Sequence, residues 1–143
     1  MSKYTSKIGK INKSDELIYT FLTNFNNLKS IVPKDKVKDF EATEDTCKFK
    51  IEGIGQAGLK IIEKEPNKLI KITSDGKSPF SFFFWIQLKP MEGEEKATAI
   101  RLTIDANLNP MMKMMVAKHL QKGIDAMVDQ IVVFFNEKMK EDK

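Results

Sequence analysis

An α+β fold, one antiparallel sheet of seven strands covered by a long C-terminal helix, follows from three features of this 143-residue sequence. Between residues 36 and 107 apolar and polar side chains alternate, the period of a strand with one dry and one wet face. After Pro110 the apolar residues recur every three to four positions, the period of a helix. Ahead of both, "INKSDELIYTFLTNF" carries the end of a strand and the start of a helix.

The first strand is read over residues 3–12. Ser14 is then placed to cap a helix, with Asp15 and Glu16 in the first turn, where the helix dipole favours carboxylates. Leu17, Ile18, Phe21, Leu22 and Phe25 give that helix one apolar face. A second short helix around Asn27–Val32 is stopped by Pro33. Strands follow at 36–43, 46–52, 56–65, 68–74, 79–90 and 96–107, separated by "EDT", "EPNK", "SDGKS" and "MEGEEK". Their inward positions are Cys47, Phe49 and Ile51; Leu59 and Ile61; Ile70 and Ile72; Phe80, Phe82, Phe84, Ile86 and Leu88; and Ile100, Leu102, Ile104 and Ala106. The opposite parity is mostly Lys, Glu, Thr and Asp.

The C-terminal helix is expected to run for roughly thirty residues. Val116, Ala117, Leu120, Gly123, Ile124, Met127, Ile131, Phe134 and Phe135 share one face, and Lys118, Gln121, Lys122, Asp125, Asp129 and Asn136 the other. Gly123 costs about 1 kcal/mol inside a helix, so a close approach of helix and sheet is expected there. No repeat or linker divides the chain, and residues 1–143 are read as one domain.

Composition narrows the function classes. Hydrophobic residues at 41% and charged residues at 31% describe a globular chain. The net charge of +4 invites a nucleic-acid partner, yet lysines and acids are interspersed and Arg101 is the only arginine, so none is expected. A single cysteine, Cys47, fits a reducing compartment. The start "MSKYTSKIGK" lacks the apolar core of a signal peptide, and no run approaches the ~20 apolar residues that span a bilayer. A cytoplasmic protein without stable membrane insertion is the expectation.

Element order and the run "INKSDELIYTFLTNFNNLKSIVP" resemble the START/Bet v 1-like (SRPBCC) superfamily, including its small polyketide cyclase-like members. The resemblance covers nearly the whole chain and is one of fold, since that superfamily has no universal catalytic motif. It implies a helix-grip fold, in which a curved sheet wraps the last helix around an apolar cavity. It further implies binding of a hydrophobic small molecule or lipid, with a minority of members acting as enzymes.

The lining of such a cavity is expected from Phe49, Leu59, Ile72, Phe82, Phe84, Ile86, Ile100, Leu102 and Ile104 on the sheet. The helix would add Met112, Met115, Val116, His119, Leu120, Ile124 and Met127. Its mouth would lie near the glycine-rich hairpin and the methionines that open the helix, because "IVVFF" closes the other end. Aromatic and Met side chains at this spacing also suit a plain core, so a filled interior stands beside the cavity. Met111, Met112, Met114 and Met115 cannot all face one core; they form a loose helix start or a flexible gate.

"GIGQAG" matches the dinucleotide fingerprint in letters, but "LKIIEKE" after it alternates as a strand, where the fingerprint needs a helix. A hairpin at the rim is the better reading. His119 and Cys47 are the sole residues of their kinds, so neither a soft-metal cluster nor a supported Cys–His pair is expected, and no cofactor. Catalytic residues are not visible. A cyclase-, dehydrase- or hydrolase-like enzyme using the same cavity stands as the alternative to a binding protein.

Phe83 and Trp85 have outward parity, unusual for large aromatics. If the chain turns about Gly93, Trp85 pairs with Arg101 and Phe83 with Thr103, and a cation–π contact with Arg101 is expected. The same pair is a candidate homodimer contact.

Overall fold

In the computed structural model, which describes residues 2–53, 55–76, 78–93 and 96–139, the strands form a single sheet. They are β1 (Ser2–Thr5), β2 (Gly9–Ile11), β3 (Val37–Ala42), β4 (Thr46–Ile51), β5 (Gly55–Glu65), β6 (Leu69–Ser74), β7 (Phe82–Pro90) and β8 (Thr98–Ala106). Every pairing is antiparallel, in the order β1-β8-β7-β6-β5-β4-β3, and β2 also pairs with β8. Two helical pieces follow β2, α1 (Asp15–Leu22) and a 3-10 turn (Phe25–Ser30). The long helix α2 (Pro110–Val133) runs on into a π-helical turn, Phe134–Lys138. This is the helix-grip architecture: an antiparallel curved sheet with a long C-terminal helix.

The first strand is split, which makes the sheet eight-stranded where seven were expected. The break has a local cause. Ser6 turns its hydroxyl inward to accept the Leu102 amide at 2.9 Å, and the Lys7 amide leaves the ladder to donate to Asp125 at 2.8 Å. Pairing with β8 resumes at Gly9, opposite Ile100.

Local signals set the helices much as the sequence suggests. Ser14 caps α1 by accepting the Leu17 amide, and Asn109 caps α2 by accepting the Met112 amide, with Pro110 in the first turn. The 3-10 turn ends before Pro33, and its Phe25 is wholly buried. The last strand-to-strand loop corrects the expected register. Trp85 pairs with Thr103, Phe83 with Asp105 and Gln87 with Arg101, a shift of two residues that keeps the parity. Strand pairing stops at Pro90↔Thr98, and left-handed Gly93 (φ 77°) and Lys96 (φ 55°) shape the connection; Glu94 and Glu95 of "MEGEEK" lie outside the described residues.

The expected close approach at Gly123 is also corrected. A Cβ there would meet nothing within 4 Å, and the residue is exposed. The helix instead comes close to the sheet at Gly9, where a Cβ would stand 2.7 Å from both Val128 Cγ1 and Val132 Cγ2. The flank of α2 expected to face solvent instead clasps β1 and β2. Gln121 donates to the Thr5 carbonyl, Asp125 accepts from Lys7, and Asn136 accepts from Asn12 while donating to the Lys10 carbonyl.

Candidate ligand-binding site

Cross-strand register sorts the inner side chains into rows. One row runs Tyr4, Ile104, Phe84, Ile72 and Ile61. The row beyond it, toward the start of α2, holds Ala106 and Phe82 and continues to Leu59 and Cys47. Rows on the other side hold Ile70, Ile86 and Leu102, then Leu88 and Ile100.

Burial varies within these rows. Ile70, Ile100 and Leu102 are fully buried, and the opposite end of the interior is shut by Phe135, whose ring stands 5.4 Å from Phe21. Phe134 reaches the same Phe21 at 5.1 Å. Toward the start of α2, Phe82, Leu59, Ile61 and Phe49 are only half-buried, although they face inward and pack against the core. Leu120 on the helix is half-buried in the same way. Phe135 fills the "IVVFF" end, and half-buried apolar groups lie both beside it (Phe21, Val132, Phe134) and toward the start of α2 (Phe82, Leu120).

The expected lining residues divide accordingly. Ile72, Phe84, Ile86, Ile100, Leu102, Ile104 and Ile124 belong to the buried core cluster. Phe49, Leu59, Phe82 and Leu120 pack on its margin, and Met112 and Val116 are half-buried on the first turns of α2. His119, Met115 and Met127 are exposed, Met127 to 42%. The reason is rotational: Leu120, Ile124, Val128, Ile131 and Phe135 hold the sheet-facing positions and turn those three toward solvent. Met111 and Met114 are exposed as well, so the methionines form an outer surface at this end.

Two side chains that the sequence reading did not single out matter here. Tyr4 shares the inner face with Ile104 and Phe84, and its hydroxyl oxygen is buried without a hydrogen-bond partner. Its inner parity in "SKYT" was the available signal. Asp105, on the opposite face, has one buried carboxylate oxygen without a partner. Cys47 is buried, and desolvation pushes its thiol up to about 12, which leaves it protonated and unreactive.

A cleft of about 820 Å³ follows β3, β4 and β5 and shares Cys47 and Phe49 with the inner face. Apolar Ala42, Cys47, Phe49 and Ala57 line it together with charged Asp39, Glu41, Lys48 and Lys50. Four of the charges stand in pairs, Lys48–Glu41 at 3.5 Å and Lys50–Asp39 at 3.6 Å, and Asp75 also lines the cleft. Gly53 and Gly55 form the hairpin at this rim in left-handed conformations (φ 86° and 114°), and β5 rather than a helix follows them. The Ile54 of "GIGQAG" lies outside the described residues. Among the described residues no three His, Cys, Asp or Glu side chains gather as metal ligands would, and no helix is long and apolar enough to cross a membrane.

On the outer face, Phe83 and Trp85 stand with ring centroids 6.2 Å apart. The expected cation–π contact with Arg101 is corrected: the ammonium of Lys71 lies 4.8 Å from the Phe83 centroid and 5.5 Å from that of Trp85. Arg101 is held elsewhere by Gln87, which accepts from its Nε at 3.0 Å and also from Thr103.

Residues 9–140 match the model of the CoxG family, named for a subunit of carbon monoxide dehydrogenase. The chain belongs to that family. With it goes membership of the SRPBCC, or Bet v 1-like, superfamily. Among solved structures, the Aha1 dimer from Colwellia psychrerythraea is similar at 20% identity, with a TM-score of 0.70 over 98% of this chain and 100% of that one. Truncated norcoclaurine synthase from Thalictrum flavum is similar at 15% identity, with a TM-score of 0.74 over 97% and 98%. XoxI from Bacillus cereus shows 13% identity and a TM-score of 0.72 over 94% and 96%. At these identities the likeness establishes the fold. No curated protein matches the chain in sequence.

Proposed function

We propose that this protein binds or carries a hydrophobic small molecule or lipid between the inner face of its sheet and the first turns of α2. The observation that carries the proposal is the incomplete cover of inward apolar groups. Phe49, Leu59, Phe82 and Leu120 are large apolar groups that face inward and pack on the core cluster, yet stay half-buried. Leaving such groups half-covered forgoes burial at roughly 25 cal/mol per Å², which an apolar ligand would recover. Met112 and Val116 are half-buried on the first turns of α2, and Met adapts its shape to irregular apolar molecules.

Membership of the SRPBCC superfamily supports the same function. We place the protein in the cytoplasm, in keeping with its single unpaired cysteine. The enzyme alternative needs an acid or base at the ligand. Among the inward groups, Cys47 is held protonated.

The test is fluorescence titration with N-phenyl-1-naphthylamine, an uncharged probe that brightens in apolar surroundings. Saturable binding that other apolar molecules displace is expected. Emission rising without saturation would dismiss the site. Native mass spectrometry of protein purified from its own host then identifies what co-purifies.

A further inference from the structure

A buried phenol oxygen with no partner is costly to leave unsatisfied, and Tyr4 holds one. Register puts Tyr4 opposite Ile104, with Phe84 next across the sheet and Ala106 and Phe82 in the neighbouring row. None of these four side chains carries a charge or a hydrogen-bonding group. Alongside β1, α2 is fixed by Gln121 to the Thr5 carbonyl and by Asp125 to the Lys7 amide. Tyr4 also lies one row inward of half-buried Phe82.

We propose that Tyr4 is the polar anchor of the binding site, its hydroxyl donating a hydrogen bond to an acceptor oxygen on an uncharged lipophilic ligand such as a ketone or ester. The role rests on the binding function proposed above. Charge is what narrows the class. A carboxylate brought beside Tyr4 would be desolvated among Ile104, Phe84, Ala106 and Phe82 with no cation among them to pair it, whereas a carbonyl oxygen needs only the one donor. A pure hydrocarbon would leave the phenol as unsatisfied as before. The ligand therefore enters with its carbonyl end toward β1 and its apolar remainder toward Phe82, Leu59 and Leu120.

Benzophenone and diphenylmethane test this, because they match in size and differ by a carbonyl oxygen. Each displaces N-phenyl-1-naphthylamine from the native protein and from Tyr4→Phe, and melting temperatures are read alongside. The native protein should prefer benzophenone by roughly three- to tenfold, the worth of one net hydrogen bond. Tyr4→Phe should lose that preference, bind diphenylmethane as before, and melt no lower than the native protein. The benzophenone carbonyl stretch should sit at lower frequency in the native complex than in the variant. An equal preference in both proteins, or an unshifted stretch, would overturn the anchor while leaving the binding function standing. A lower melting temperature for Tyr4→Phe would also overturn it, by revealing a structural partner for the hydroxyl. A native protein that takes up no probe at all removes the binding function and the anchor with it.

Discussion

Gly9 and Val128 are in contact so close that a methyl group on the glycine would lie 2.7 Å from Val128 Cγ1. Val128 is wholly buried, so it has no room to retreat without moving the helix, and Val132 Cγ2 stands equally near. Gly9→Ala is expected to destabilise the fold by about 1–3 kcal/mol, the range for overpacking a core. Gly123→Ala, at an exposed helical position with nothing near, is expected to stabilise by about 0.5–1 kcal/mol. Urea denaturation of the two variants checks both signs. A neutral Gly9→Ala would mean that α2 does not sit so close to β2.

That contrast also marks how far residue order reaches. Alternation from Leu69 to Ala106 states the inner face correctly because strand period and burial coincide there. Gly9 against Gly123 was illegible, since closeness depends on which turn of α2 meets β2, a fact of three dimensions. The break at Ser6 hides for the same reason, resting on the amide of Leu102 far along the chain. The register of β7 and β8 slipped by two because loop length is settled by left-handed residues, and Lys96 is no usual candidate. At the site, the half-buried Phe49, Leu59 and Phe82 were legible by parity. The exposure of His119, Met115 and Met127 was not, because a helix wheel gives a face without its centre.

The outer aromatic pair yields a prediction about assembly. Phe83 and Trp85 share Lys71 on a face that α1 and α2 do not cover, and a homodimer through them is the proposed use. Sedimentation should show the native chain dimerising as concentration rises and Trp85→Ser remaining monomeric. Trp85 is the only tryptophan, so its emission should shift with the same concentration dependence. A native chain that stays monomeric throughout rejects the contact.

Cys47 gives a pH prediction with a definite sign. Burial raises its thiol from 9.0 to about 12, so the folded state holds the proton more tightly than the unfolded chain does. Its contribution to stability is complete below pH 9 and is lost as pH rises toward 12. Cys47→Ala should therefore flatten the fall in stability over that alkaline range. In the native protein, iodoacetamide should label the thiol very slowly at pH 8 and quickly once urea unfolds the chain. Rapid labelling without denaturant would show a thiolate that the burial forbids.

Ala106 and Val116 separate filled interior from open site. Ala106 is wholly buried between the inner faces of β1 and β7, so Ala106→Trp must overpack and should cost about 1–3 kcal/mol or more. Val116 is half-buried on the first turns of α2. Val116→Trp should change stability by less than about 0.5 kcal/mol, as surface substitutions do, yet weaken N-phenyl-1-naphthylamine several-fold by taking up its space. Denaturation and probe titration on the same two variants decide the matter. If Val116→Trp destabilises as strongly as Ala106→Trp, the end of the interior near α2 is closed core and the proposed site is not there.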